Sequence, residues 1–321
     1  MAEPAVIVIG AGPAGVRAAE RLVEAGLRPV LLDEGERDGG QIYRRQPINF
    51  TRSAEALYGS EAAKATALHR DFVAIRTRID YRPNTLAWAV REREVLTVSG
   101  TRTGSVPFRT LIIASGATDR IMPLPGWTLP GVYSLGGAQI ALKAQACAIG
   151  ARPVFLGTGP LLYLVAWQYA KAGVAVQAVL DTSSLARRLR ALRDLAARPA
   201  VLARGIRYTA ALLRRGIAVR TGITPLAVEG EGRAAAVVWR DKAGREHRTA
   251  CDALGLGYGL RSETQLADLA GCRFGFDPVA RQWLPDLDAD GRSTVPGIYL
   301  AGDGARGQRL AGARRTDQQR A

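Results

Sequence analysis

The chain opens on an apolar β-branched run, Val6-Ile7-Val8-Ile9, that stops abruptly at Gly10. Short runs of this kind suit strands buried on both faces of a parallel sheet. Beyond the glycines the spacing turns helical over 16–25, and a second apolar run over 29–32 ends in Asp33 and Glu34. Alanine-rich 53–72 predicts one helix, whereas 79–98 turns strand-like and alternates over 86–90, as in a β-meander with polar turns. Leu111-Ile112-Ile113 predicts a further buried strand ending in the small residues Ala114, Ser115 and Gly116.

After a proline-rich stretch at 122–131 the opening theme returns. An apolar run over 153–156 meets Gly157-Thr158-Gly159, a helix follows through 171, and a strand over 174–180 ends in Asp181. Strand-like segments continue at 217–219 and 235–239, small residues close another strand at 253–259, and a last strand ends in Gly302-Asp303-Gly304. Two strand-turn-helix-strand-acid units in one chain predict an α/β protein with two Rossmann-like three-layer domains, the second inserted into the first. The expected division is 1–120 with 262–321 for the first domain and 121–261 for the second.

The turns carry the candidate chemistry. Gly10, Gly12 and Gly15 complete a G-x-G-x-x-G pattern: Gly10 allows the tight turn, Gly12 a close backbone approach to a pyrophosphate, and Gly15 close packing of helix on strand. Phosphates would then sit at the helix start, lined by Pro13, Ala14 and Gly15, against the free N–H groups of its first turn. Asp33 or Glu34, about twenty residues on, can accept from ribose hydroxyls. Gly39 and Gly40 can bring backbone close to a planar ligand, with Gln41 supplying an amide, although a surface turn would serve the chain equally well. Small residues at strand ends, Ala114 and Gly116 among them, leave room for a ligand at the sheet edge. At the last strand end the Asp303 carboxylate can accept from a polyol hydroxyl while backbone N–H groups near Gly302 meet phosphate.

The second turn departs at one position. Leu162 stands where a third glycine would be, which should hold the helix farther from its strand or alter the fit of a pyrophosphate. Asp181 favours an unphosphorylated ribose, while Arg187 and Arg188 leave room for a 2′-phosphate. Gly157, Gly159 and Asp181 thus mark either a working nicotinamide site or a retained fold that binds another nucleotide or nothing.

Composition narrows the class. At 321 residues, 47% hydrophobic and with mean hydropathy −0.01, the chain can build two ordinary cores. It has no apolar run of membrane-spanning length, and with Met1 to Pro4 leading directly into the first strand no signal peptide is expected. Its three cysteines, Cys147, Cys251 and Cys272, are too scattered for a C-x-x-C pair or a zinc site, so a reducing cytoplasm is expected and no metal. The net charge of +15 comes mostly from arginine, with neither a nucleic-acid motif nor interleaved aromatics, so a nucleic-acid partner is not expected. Arginine is densest over 184–215, where Leu185, Leu189, Leu192 and Leu195 form an apolar stripe and Pro199 divides two helices. That basic amphipathic excursion suits a partner protein's surface or, second, peripheral membrane contact. His69 and His247 have no matched partner in sequence, and no triad or acid–base pair is visible. The absence of catalytic side chains accords with hydride chemistry carried by cofactors.

Gly10 to Gly15, Ala114 to Thr118, Gly157 to Leu162 and Gly302-Asp303, in that order, resemble the flavoprotein disulfide reductase superfamily that contains thioredoxin reductase. The resemblance implies FAD with its diphosphate at Gly10, Gly12 and Gly15, its adenosine ribose at Asp33 or Glu34, its flavin near Gly40 and Gln41, and its ribityl chain at Asp303. NAD(P)H would belong to the second domain. Gly39 to Arg44, Tyr133 to Gln139, Gly157 to Leu162 and the arginine-rich excursion are similar to the family formed by the FAD-binding subunits of opine oxidase and hydrogen cyanide synthase. In that family the FAD-binding chain pairs with a glycine- or sarcosine-oxidase-like flavoprotein that oxidises the amine.

Two departures matter. Thioredoxin reductases carry a C-x-x-C near Tyr133 to Ala148, where Cys147 stands alone, so disulfide reduction is not expected. After Gly304 the superfamily continues into a helix approaching the flavin, but 305–321 has lost apolar periodicity, which reads as a truncated or altered end that weakens flavin binding and carries no iron–sulfur module. The expected function is an electron-transferring, FAD-dependent subunit of a heteromeric amine, amino-acid or opine dehydrogenase or oxidase. The alternatives are a stand-alone NAD(P)H-dependent flavin reductase and a non-catalytic nucleotide-binding scaffold.

Overall fold

The computed structural model describes residues 5–184, 186 and 199–305. Leu185, Arg187, Arg188, Leu189, Leu192, Leu195 and the segment 306–321 lie outside the described residues, and with them the expectations placed on the first half of the arginine-rich stretch and on the chain end. The chain divides into two compact units, Met1–Thr118 with Leu260–Ala321 and, inserted between them, Asp119–Gly259.

The first unit is built on a mostly parallel sheet. Strand β1 (Ala5–Ile9) leads through the glycine turn into helix α1 (Pro13–Glu24) and strand β2 (Val30–Leu32). Helices α2 (Ala54–Tyr58) and α3 (Ala62–Ile75) then precede β3 (Asp80–Arg82), β4 (Leu86–Arg91), β5 (Glu94–Ser99) and β6 (Arg102–Ile113). The sheet order is β3-β2-β1-β6-β5-β4, and the strand Ile298–Leu300 pairs in parallel with β6. The last third of β6 runs parallel to β1, while its first half pairs antiparallel with β5, so one long strand joins the parallel sheet to a meander.

Strand alternation sorts this core into two layers. Val8 and Leu31 pack with Val16, Ala19, Leu68 and Phe72 beneath the helices. Ile7, Ile9 and Leu32 face the other way, onto Val90, Val95 and Phe108 of the meander. The single helix expected over 53–72 is interrupted: Gly59 takes φ 59° and begins a 3₁₀ turn through Glu61, because a residue that readily leaves helical φ weakens the helix where it stands.

The second unit repeats the design. After strand β7 (Ala117–Asp119), which ends on the unit's first residue, come β8 (Val132–Ser134) and α4 (Leu135–Ala144), then β9 (Pro153–Gly157), α5 (Pro160–Lys171) and β10 (Ala178–Asp181). Helix α6 (Pro199–Arg214) precedes β11 (Ala218–Thr221), β12 (Thr224–Glu229), β13 (Ala236–Arg240), β14 (Glu246–Ala250) and β15 (Ala253–Gly257). A parallel sheet in the order β11-β10-β9-β15-β8 carries α4, α5 and α6 on one face, where Phe155 and Val179 meet Leu162, Tyr169 and Leu212. On its other face Val154, Leu156 and Leu180 meet Val228, Val237 and Trp239 of the antiparallel sheet β12-β13-β14. Strand β10 is shorter than the expected 174–180, because the segment before Ala178 is a loop after Gly173.

Helix α4 carries a buried ammonium. Lys143 is 6% exposed, and burial pulls it from the ordinary 10.5 down to about 8. The unfolded chain keeps this proton to higher pH than the folded one, so folding carries a penalty of about 3 kcal/mol below pH 8 that is relieved as pH rises towards 10.5. Lys143→Met should therefore raise the unfolding midpoint of this unit at pH 7 and approach wild type near pH 10.5. Scanning calorimetry of both proteins at the two pH values checks it, and a gain equal at both would refute the assignment. No described helix is long and apolar enough to cross a membrane.

Candidate nucleotide-binding sites

In the first unit the glycine turn is held by its neighbours. Gly10 N–H donates to Leu32 O at 2.8 Å and Ala114 N–H to Ile9 O at 2.8 Å, which brings the ends of β1, β2 and β6 together. A Cβ on Gly15 would collide with the Gly10 carbonyl and sit 3.5 Å from Ala114 Cβ. Helix α1 thus starts hard against the end of its strand. It has Gly12 as N-cap, Pro13 in its first turn, no side-chain cap and no acid in the first turn, so its leading N–H groups are left without a side-chain acceptor, an arrangement that favours an anion.

Three further segments converge on this turn. Gly39 N–H donates to Ala11 O at 2.9 Å, and Gly40, at φ 58°, lies so close that its Cβ would stand 2.8 Å from Gly12 Cα. Only glycine combines that left-handed backbone with that approach. Gly302 reaches α1, where an added Cβ would be 2.7 Å from Ala14 Cβ, and Asp303 beside it is exposed. Ser262 Oγ donates to Asp303 O at 2.6 Å, and Glu263 N–H to Gly116 O at 3.0 Å, which ties the Gly302–Gly304 turn to the end of β6.

The two acids after β2 are placed differently. Asp33 is partly buried; its Oδ2 accepts from Ala11 N–H in a short bond and its Oδ1 from Gly35 N–H at 2.7 Å. Burial holds its carboxyl above the ordinary carboxylate range, partly offset by those two N–H groups. Glu34 is exposed. Gln41 is exposed too, its amide oxygen accepting from Arg44 Nη2 at 3.0 Å, while Arg44 Nε is buried with no protein partner. An uncapped helix start, a glycine-lined cradle that any Cβ would fill, and a buried guanidinium N–H lacking an acceptor are the donor set an FAD diphosphate requires.

The strap beyond Gly40 rests on a network absent from the sequence reading. His69 Nδ1 lies 2.6 Å from Asp38 Oδ2, Arg45 Nη2 lies 2.9 Å from Asp38 Oδ1, and Asp38 is 3% exposed. Tyr58 Oη donates to Arg44 O at 3.1 Å and approaches His69 Nε2 at 3.5 Å. His247 likewise pairs with Asp241 at 2.9 Å and stacks on Trp239 with ring centroids 4.4 Å apart. The expectation that neither histidine has a matched partner is therefore corrected: the partners lie across loops, 31 residues away for His69 and 6 for His247.

The second unit's turn has its own arrangement. Thr158 N–H donates to Gly257 O at 3.0 Å, Gly159 caps α5 without a side-chain bond, and Leu162 is fully buried in the helix-side core. Asp181 is 1% exposed, with Tyr163 Oη donating to its Oδ2 and Ser183 N–H to its Oδ1, both at 2.7 Å. The three cysteines are free; Cys147 is exposed, Cys251 and Cys272 are buried, and burial pushes the Cys251 thiol up to about 11. Among the described residues no group of His, Cys, Asp or Glu could hold a metal ion.

Known proteins carry the same plan. An opine oxidase subunit of Agrobacterium tumefaciens is 37% identical over 313 residues, 94% of this chain and 61% of that protein. Hydrogen cyanide synthase subunit HcnB of Pseudomonas protegens is 32% identical over 318 residues, 95% of this chain and 67% of that protein. The chain thus spans about three fifths of the length of its opine oxidase relative. Thioredoxin reductase of T. acidophilum, 18% identical, superposes with a TM-score of 0.65 over 95% of this chain and 91% of its own, which establishes the fold of two-domain FAD/NAD(P) oxidoreductases. The pyridine nucleotide-disulphide oxidoreductase family matches residues 4–317, and on that match and the two glycine-turn units the chain belongs to this family of FAD-dependent oxidoreductases, without a C-x-x-C pair.

Proposed function

We propose that this chain is the FAD-holding, electron-transferring subunit of a heteromeric amine, amino-acid or opine dehydrogenase or oxidase. The observation that carries the reading is the convergence of Gly12, Gly40, Gly302 and Asp33 on the uncapped start of α1. The relatives, named as subunits, support a multi-subunit enzyme.

In this reading the α1 N–H groups and the turn at Gly10, Gly12 and Gly15 hold the diphosphate, with Pro13 and Ala14 lining it. Asp33, tied to the turn through Ala11, keeps lone pairs for the adenosine ribose, and exposed Glu34 is left aside. Gly40 and Gln41 border the flavin, Ala114 and Gly116 leave it space, and Asp303 accepts from the ribityl chain. When bound, the flavin supplies hydride-level redox chemistry, and the chain's own task is to bind, orient and exclude water. With no acid–base group assigned here, the amine would be oxidised on a glycine- or sarcosine-oxidase-like partner flavoprotein in the cytoplasm.

The test is the visible spectrum of the purified chain, alone and co-expressed with a glycine-oxidase-like partner, before and after anaerobic addition of an amine or NADH. Bleaching by the amine only in the partner's presence is expected. Bleaching by NADH in the chain alone would favour a stand-alone flavin reductase, and a colourless protein that takes up no FAD would leave a scaffold.

A further inference from the structure

The two glycine-turn units present the same acid in two different ways. In both, one carboxylate oxygen accepts the N–H two residues on: Gly35 for Asp33 and Ser183 for Asp181, each at 2.7 Å. The second oxygen separates them. Asp33 Oδ2 points to the glycine turn and accepts from Ala11 N–H, at the edge along which a ribose passes. Asp181 Oδ2 points into the helix layer and accepts from Tyr163 Oη.

Both halves of this difference have a local cause. Thr158, the counterpart of Ala11, has its N–H occupied by Gly257 O at 3.0 Å, so that N–H does not serve the carboxylate as Ala11 N–H does. Tyr163 follows Leu162 on α5, as Val16 follows Gly15 on α1; with Leu162 fully buried in the third-glycine position, the next side chain reaches the end of β10. Tyr163 is 8% and Asp181 1% exposed, so the bond is made away from water, where breaking it is costly.

We infer that Tyr163 occupies the carboxylate the second unit would otherwise offer to a ribose diol, and so sets its affinity for nicotinamide and adenine nucleotides. The inference rests on reading this unit as a nucleotide fold. A nucleotide entering here must displace the tyrosine hydroxyl or forgo the diol contact, so its phosphates meet the α5 start without an anchored sugar. Replacing Tyr163 by Phe removes this hydroxyl donor from Asp181 while keeping the ring that fills the helix-side core.

The test uses the FAD-loaded protein, so that the first unit is filled, and titrates NADH by its fluorescence. Tyr163→Phe should bind NADH about tenfold more tightly than wild type, the equivalent of one displaced hydrogen bond. Adding Asp181→Asn to that variant should return the affinity to the wild-type level. Equal or weaker binding by Tyr163→Phe would overturn the inference. The wild-type protein gives a test that needs no variant: ADP and 2′-deoxy-ADP should bind it equally in calorimetry, and a tenfold preference for ADP would overturn the inference as well. These are binding readouts, so failure of amine-dependent bleaching leaves them intact and identifies the proposed reaction, not the nucleotide contact, as wrong.

Discussion

Gly12→Ala is expected to give a stably folded protein with weakened flavin binding, while Gly15→Ala lowers stability and flavin binding together. The two glycines sit three residues apart in one turn but face different things. A Cβ on Gly12 would meet only Gly40 Cα, at an ordinary 3.7 Å, and the backbone there, at φ −73°, accepts any residue. The added methyl would project into the space that the diphosphate needs, and replacing close N–H contacts to an anion should weaken FAD by about 100-fold. A Cβ on Gly15 would instead strike the Gly10 carbonyl, which is backbone and cannot rotate aside. Helix α1 must then shift from β1, at a cost of about 1–3 kcal/mol or more for overpacking. Apo-protein melting and FAD titration of both variants separate the cases. Unchanged FAD affinity in Gly12→Ala would remove the diphosphate from this turn.

That contrast also marks what sequence could and could not supply. The order of strand, glycine turn, helix, strand and acid is local, and each step has a spacing that can be read along the chain, so the α/β class and both turns were legible. The different placement of Asp33 and Glu34 was not, because it depends on which carboxylate turns towards Ala11 across 22 residues. Asp181 looked equivalent to Asp33 for the same reason: spacing places an acid at a strand end but does not say which way its oxygens face. Tyr163 carried a readable warning, since Leu162 had already replaced the third glycine beside it. The Asp38–His69 pair had none, as nothing in alanine-rich 53–72 hints that its histidine lies under a glycine loop 31 residues earlier.

That pair underlies the second large effect: Asp38→Ala should destabilise the first unit by about 3 kcal/mol and loosen its hold on FAD. Asp38 has 4% of its side chain exposed and neutralises Arg45 at 2.9 Å while fixing His69 at 2.6 Å. Removing one member of a buried pair usually costs about 3–5 kcal/mol, and the lower end applies because Arg45, about a third exposed, can turn to water. His69, only 14% exposed, has less freedom to do so. At about 2–4 °C per kcal/mol for a unit of this size, the melting midpoint should fall by roughly 6–12 °C. The flavin effect follows from the chain itself, because Asp38 directly precedes Gly39, whose N–H is bonded to Ala11 O, and Gly40, which packs on Gly12. Releasing Asp38 from α3 lets this strap swing off the turn it helps to close. Asp38→Asn, which keeps the shape and a hydrogen-bonding oxygen, should recover part of both losses. A midpoint shift under about 2 °C for Asp38→Ala would mean that the backbone bond from Gly39 to Ala11 holds the strap without help from the ion pair.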